Sequence, residues 1–268
     1  MRLPFAVLVC HLILAASACA EFPLHRAHLG GDPNSPFNMG LQRVLQRHFA
    51  RDTTEEKLEE DYLSLLELAT SAEQEGLVYA HIAWMYCTKG TIRAPQVAET
   101  YCQEALGYPL PVDVAASMHN FRGMALWTRY HQEWRGERYR VARRRIIAPA
   151  LAGLKLVMEN GAPREAVPLP TVVIDNTFIP MGAPGREEAL QEIARRHAAQ
   201  LAERRKAELL NVLQRFREWF IRSCVNLYLQ DPADPDELRR LASEALADHP
   251  EARADLLDQL AAAVAKER

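Results

Sequence analysis

An all-α fold is predicted for this chain of 268 residues, and three observations predict it. Apolar residues recur at three- and four-residue spacing through most of the sequence, the period of one helix face. Nothing alternates with period two for long enough to build a sheet. Glycines and prolines fall where the periodic runs end, at positions that stop helices. With 49% hydrophobic residues and only 12 glycines the chain can bury one large core or two modest ones. A formal charge of −3 gives no basic balance for non-specific binding of nucleic acid, which is not expected as a partner.

Residues 1–20, "MRLPFAVLVCHLILAASACA", hold one Arg, an uncharged apolar run and then small residues ending in Ala18-Cys19-Ala20. This is the layout of a signal peptide cleaved before Glu21, and it predicts export to a periplasmic, cell-envelope or secreted location. Two alternatives stay open. The run could persist as an N-terminal anchor, although Pro4 and His11 interrupt it. Alternatively "AASAC" (Ala15–Cys19) resembles the bacterial lipobox, which implies lipidation at Cys19; this sequence has Ala16 where an aliphatic residue is usual. Residues 21–34, with Gly-Gly and two prolines, read as a flexible tether.

Ser35 caps a first helix carrying Met39, Leu41, Val44, Leu45 and Phe49. Asp52-Thr-Thr-Glu55 has the form of a capping box for a helix over about 54–72, with acids on its first turn where the dipole favours them. A helix over about 75–89 follows, then one over about 95–107, stopped by Gly107, Pro109 and Pro111. Asp113 is placed to cap the next, which runs through Phe121, Met124 and Trp127. Another continues through Leu156 to "ENG" at 159–161. Residues 162–185 change in texture: five prolines and two glycines flank the β-prone "TVVIDNTFI" (Thr171–Ile179). A lone strand cannot satisfy its own backbone, so this reads as an extended linker laid across the helical surface. From Arg186 a helix runs to about Leu229, bent or exposed near "AERRKAE" (Ala202–Glu208), and helices over about 235–247 and 250–265 close the chain.

The stretch "YAHIAWMYC" (Tyr79–Cys87) decides between a reactive cluster and a packing face. Tyr79, Ile82, Ala83 and Tyr86 are spaced i, i+3, i+4, i+7, and the following helix carries Ala98, Cys102 and Ala105 at i, i+4, i+7. Small residues therefore face small residues. This pattern resembles the tetratricopeptide repeat and the related Sel-like repeats, with one unit over about 76–109 and a degenerate second beginning at Phe121, Met124 and Ala125 with partners Ala142 and Ile146. The resemblance implies repeat-like αα-hairpins over 35–161, a short right-handed solenoid, followed by the long helix and a C-terminal helical hairpin over 186–268. It also implies a concave face that holds a protein or peptide partner.

By that analogy the partner-binding residues are Trp84, His119, Arg122, Arg129 and Tyr130, on inner helices but off the packing stripe, with His81 beside them facing a groove or solvent. Arg138 and Arg144 belong to "RYHQEWRGERYRVARRR" (Arg129–Arg145), which holds seven Arg and two Glu. As a solvated face such a run needs no partner; as a site it suits an acidic protein or an anionic membrane surface. With residues 1–20 removed, the cysteines are Cys87, Cys102 and Cys224, an odd number that permits one bridge. Cys87 and Cys102 flank one turn, so a disulfide between them and a pair of buried thiols are both open.

No HExxH, paired CxxC, GxSxG or phosphate-cradling glycine loop occurs, so no metal site, cofactor or catalytic residue is expected. The first functional expectation is an exported, non-enzymatic binding protein of the cell envelope. One alternative is an enzyme or ligand-binding domain with a site under 162–185. The other is a structural envelope protein associating through the 186–229 helix, which requires an exposed apolar stripe over 190–227.

Overall fold

The computed structural model describes residues 32–50, 53–88, 94–130, 137–229 and 235–267. Among them the fold is all-α, with no strand, and successive helices pack as adjacent pairs. In chain order they are α1 (Pro36–Ala50), α2 (Glu55–Ser64), α3 (Ala72–Thr88), α4 (Pro95–Ala105), α5 (Val112–Tyr130), α6 (Glu137–Glu159), α7 (Arg186–Leu229), α8 (Pro235–Ala245) and α9 (Pro250–Glu267). No helix among the described residues is long and apolar enough to cross a membrane. The signal segment, Cys19 and most of the tether lie outside the described residues.

Local chemistry sets the boundaries. Ser35 Oγ accepts from the Asn38 N–H at 3.2 Å and starts α1. Thr54, rather than Asp52, caps α2: its hydroxyl accepts from the Lys57 N–H at 3.3 Å. The helix expected over 54–72 ends earlier, tightening into a 3₁₀ turn at Leu65–Leu68 and going extended at Ala69. Its replacement starts at once, because Ser71 Oγ accepts from the Gln74 N–H at 3.2 Å. Pro95 stands in the first turn of α4, where its missing N–H costs nothing. Asp113 lies inside the first turn of α5 rather than before it. Gly161, at φ +77°, supplies the left-handed residue that ends α6.

Three buried clusters follow from these faces. The first joins α1, α2 and α3 through Phe37, Leu58, Tyr62 and Ile82. A second joins α3, α4 and α5, where Ala83 meets Ala98, Cys102 and Ala105, the small-on-small contact read from the spacing. Phe121, Met124 and Ala125 of α5 share this cluster. The third holds the C-terminal half around Leu154, Leu213, Phe220 and Leu256. Here α6 and α7 approach so closely at Gly153 that a Cβ would stand 2.3 Å from the Phe220 ring.

Helix α7 is unbroken over 44 residues. Its C-terminal half is buried, with Leu213, Phe220, Ile221, Cys224 and Tyr228 in the core, so an apolar stripe exposed along the whole of 190–227 is not found. Its middle is exposed over residues 202–206, as the fading stripe allowed. Two ion clusters fix the helices around it. Arg217, 2% exposed, reaches Glu251 at 2.9 Å and Asp255 at 2.5 Å on α9 and the Ala162 carbonyl at 3.4 Å. Arg143 of α6 pairs with Glu237 of α8.

Candidate functional site

The face of α5 that looks toward α4 is the candidate site. His119 and Arg122 stand one turn apart on it, both half-buried. His119 Nδ1 and Arg122 Nε are shielded from water and have no hydrogen-bond partner, and neighbouring Asn120 Oδ1 is in the same condition. Such atoms are uncommon in native proteins and call for an explanation, commonly water or a ligand. Arg122 forms no ion pair among the described residues, but its charge reaches both His119 and the Cys102 thiol. Burial first, and then the Arg122 charge, push His119 down to about 4, so its ring is neutral near neutral pH. The face thus offers a fixed cation and a neutral imidazole.

At the far end of the same helix Arg129 pairs with Glu99 of α4 at 3.2 Å and lies 5.1 Å from the centre of the Tyr130 ring. Tyr130 accepts a hydrogen bond from Arg145 at 3.0 Å. Arg144 is turned the other way and pairs with Glu237. The described arginines of the basic run, Arg129, Arg143, Arg144 and Arg145, therefore all have protein partners. Arg143, rather than lying on a solvated face, is buried. The side chain of Arg138 lies outside the described residues, as do residues 131–136.

Trp84 corrects the groove assignment. It is 5% exposed and packs against His48 at 4.8 Å and Phe49 at 5.8 Å, ring centre to ring centre. His81 is fully buried as well, stacked on Tyr62 at 5.5 Å. Both residues lie off the stripe that meets α4, which is all that the local spacing encodes. Helices α1 and α2 cover the opposite side of α3, which is therefore packed on two faces.

The expected thiol pair is close but unbridged: Cys87 and Cys102 are buried free thiols in hydrogen-bond contact, and Cys87 Sγ lies 4.0 Å from the Phe121 carbonyl. Burial, and then the neighbouring Cys87, raise the Cys102 thiol well above its ordinary value. Cys224 is a third buried free thiol in a different cluster.

Sequence reasoning missed two features. Glu59 accepts hydrogen bonds from both Tyr86 and Tyr101, closing a row of rings in which Tyr86 and Tyr101 lie 6.3 Å apart at 6°. Tyrosines at Tyr79, Tyr86, Tyr101 and Tyr108 were the available signal. The other is the seating of residues 162–185. Val167 exchanges both backbone groups with the Asn211 amide, at 2.7 and 2.8 Å, and the Val173 N–H reaches Gln200 Oε1 at 2.8 Å. The segment lies along α7, and between them is a cleft of about 520 Å³ lined by Asp175, Thr177, Ile193, Arg196, His197 and Gln200 among others. Thr177 holds the Asp175 carboxyl below its ordinary value through its hydroxyl and its N–H. The cleft is open and its acid exposed, so nothing there excludes water from a reacting group. Among the described residues no group of three or more His, Cys, Asp or Glu is placed to hold a metal ion.

No protein-family model, no curated protein and no solved structure matches this chain.

Proposed function

We propose that this chain is an exported, non-enzymatic helical scaffold of tetratricopeptide-like build, which holds an acidic segment of a protein partner on the α4–α5 face. The observation that carries the reading is the pairing of a shielded, unpartnered Arg122 Nε with the shielded, unpartnered His119 Nδ1. A half-buried guanidinium without an acid beside it retains its desolvation cost and lacks the compensating attraction; a carboxylate supplied in trans provides it. Arg129 and Tyr130, about two turns beyond Arg122, would flank such a segment, and Glu99 is the native competitor for Arg129.

The neutral His119 gives the reading a proton signature. An arriving carboxylate favours the imidazolium, so the ring's pKa rises from about 4 on binding. Binding then takes up a proton, and affinity increases as pH falls from about 7 toward 5.

Isothermal titration with a deca-glutamate peptide in low salt tests this, run in two buffers of different ionisation enthalpy. Binding is expected for the native chain, with proton uptake that disappears in His119→Gln and affinity that drops at least tenfold in Arg122→Gln. Equal affinity in Arg122→Gln and the native chain refutes the assignment of the face. A surface control, Lys155→Gln on α6, should bind as the native chain does.

A further inference from the structure

Ten large hydrophobic side chains are well exposed among the described residues, and six of them share one arm: Leu169, Val173, Ile174, Phe178, Met181 and Leu190. Phe178 is 86% and Met181 89% exposed. The arm is the N-terminal half of α7 with residues 166–181 running along it, the stretch 166–180 free of any turn or bend. Together these side chains present on the order of 600 Å² of apolar surface. That is the upper end of what a soluble monomer leaves bare, and most of the roughly 800 Å² that each side gives to a standard interface.

We propose that the arm is a self-association surface, and that its occupant is the same arm of a second copy, paired antiparallel through residues 171–179. The inference goes beyond the acidic-segment reading and stands on different residues.

The backbone supports this choice. No backbone–backbone hydrogen bond involves residues 166–179 among those described. One edge of the stretch is held to α7 by the Asn211 and Gln200 amides. The other edge faces water with its donors and acceptors unmet, a template for a further strand. The side chains support it too. The stretch carries one charge, Asp175, whose carboxylate is already engaged by Thr177, so it offers nothing to a charged ligand. Its exposed groups suit an apolar, neutral surface like itself.

Register follows from the charge. Val173 turns its N–H to α7, so the even-numbered residues turn theirs outward, and a two-fold that pairs this same edge in both copies opposes residues of like parity. Centring it on Asn176 sets Asp175 opposite Thr177, Ile174 opposite Phe178 and Val173 opposite Ile179. Aromatic opposite β-branched is a favourable cross-strand pair. Centring it on residue 175 instead would oppose two carboxylates. Pro170 and Pro180 bound the pairing, since neither has an N–H to continue a ladder. Because the inner edge is already occupied by α7, the contact closes at two copies rather than propagating.

Sedimentation equilibrium of the exported chain between about 1 and 100 µM tests the proposal. A dimer is expected at the upper end, reduced to monomer by Ile174→Asp with Phe178→Asp, while circular dichroism and melting temperature stay unchanged because both side chains are exposed. Register is tested by mixing Ile174→Cys with Phe178→Cys. The mixture should form a covalent dimer on oxidation, and each variant alone should form far less. A monomer throughout the range, a dimer indifferent to the two aspartates, or equal cross-linking of each cysteine variant with itself overturns the inference. So does a monomer whose arm instead takes up phosphatidylcholine vesicles. Arg122→Gln should dimerise normally, which keeps failure here distinct from failure of the acidic-segment reading.

Discussion

Arg143 of α6 and Glu237 of α8 form an ion pair closed off from water, each about 95% buried or more, and Arg144 adds a second guanidinium to the same carboxylate. This triad joins two helices far apart in sequence. Removing the acid leaves Arg143 buried and uncompensated, so Glu237→Ala should cost about 3–5 kcal/mol. Burial alone would raise the Glu237 carboxyl, yet hydrogen bonds from Arg144 and Arg143 outweigh it and hold the carboxyl below its ordinary 4.5. Its contribution is therefore complete above about pH 4.5 and is lost as pH falls through the lower folded value. In urea melts, native chain and Glu237→Gln should differ greatly at pH 7, and the gap should narrow steadily as pH is lowered below 4.5. A gap that does not change with pH below 4.5 removes the electrostatic account.

His119 acts in a different window. Its folded pKa of about 4 lies below its ordinary 6.5, so between those values the unfolded chain takes a proton that the folded one refuses. Stability should fall as pH drops from about 6.5 to 4, by something between 1 and 3 kcal/mol, roughly, for a partly shielded ring. His119→Gln should flatten that slope. An unchanged slope in the variant would mean that the ring is hydrated.

The buried thiols should be inert. Burial raises Cys224 to about 12 and Cys102 well above its ordinary range, so neither forms thiolate at pH 8. Alkylation of the reduced native chain at that pH should leave Cys102 and Cys224 unmodified for hours, and unfolding in urea should expose both within minutes. Mass mapping of the alkylated peptides reads this directly.

The fold was legible because helix spacing is a local property. Ala83, Ala98, Cys102 and Ala105 could be matched across one turn from the sequence alone, and they share a cluster in the structure. Trp84 and His81 could not be placed, because their burial depends on α1 and α2 folding back over α3, a contact between segments some forty residues apart that no local period encodes. Arg143 defeated the reading for the same reason: in the sequence it is one of seven basic neighbours, and only Glu237, ninety-four positions away, distinguishes it from a solvated charge. Register places His119 and Arg122 beside one another, and what marks them is one shielded, unmet nitrogen on each, which a sequence cannot display.

Gly153 marks a close approach of α6 to α7. A Cβ there would meet the Phe220 ring at 2.3, 2.6 and 2.7 Å, and Phe220 is itself fully buried between Gly153 and the rest of the core. The ring has nowhere to move without shifting the helix. Gly153→Ala should therefore destabilise despite the better helix propensity of alanine, which favours it by only about 1 kcal/mol. Overpacking costs about 1–3 kcal/mol, and with a ring that cannot yield, the upper part of that range applies, so a net loss of up to about 2 kcal/mol is expected by chemical denaturation. Phe220→Leu in the same background should recover part of it, and a stabilised Gly153→Ala would show that the two helices can separate freely.

Asn211 holds residues 162–185 against α7 through two hydrogen bonds to Val167, one donated and one accepted. Both are partly buried, and a bond of this kind contributes about 1 kcal/mol net. The segment contributes few groups to the core beyond Ala162, so the two bonds should govern local release rather than global unfolding. Asn211→Ala should leave the melting temperature within a few degrees of the native value. It should also speed chymotryptic cleavage after Phe178 several-fold, because the protease needs the strap lifted clear of the helix. Leu cannot replace the amide, so Asn211→Leu should behave alike even though it restores bulk. Cleavage at the native rate in both variants, with Gln200 intact, would show that the strap is held by its apolar contacts and that the amide clamp contributes nothing measurable.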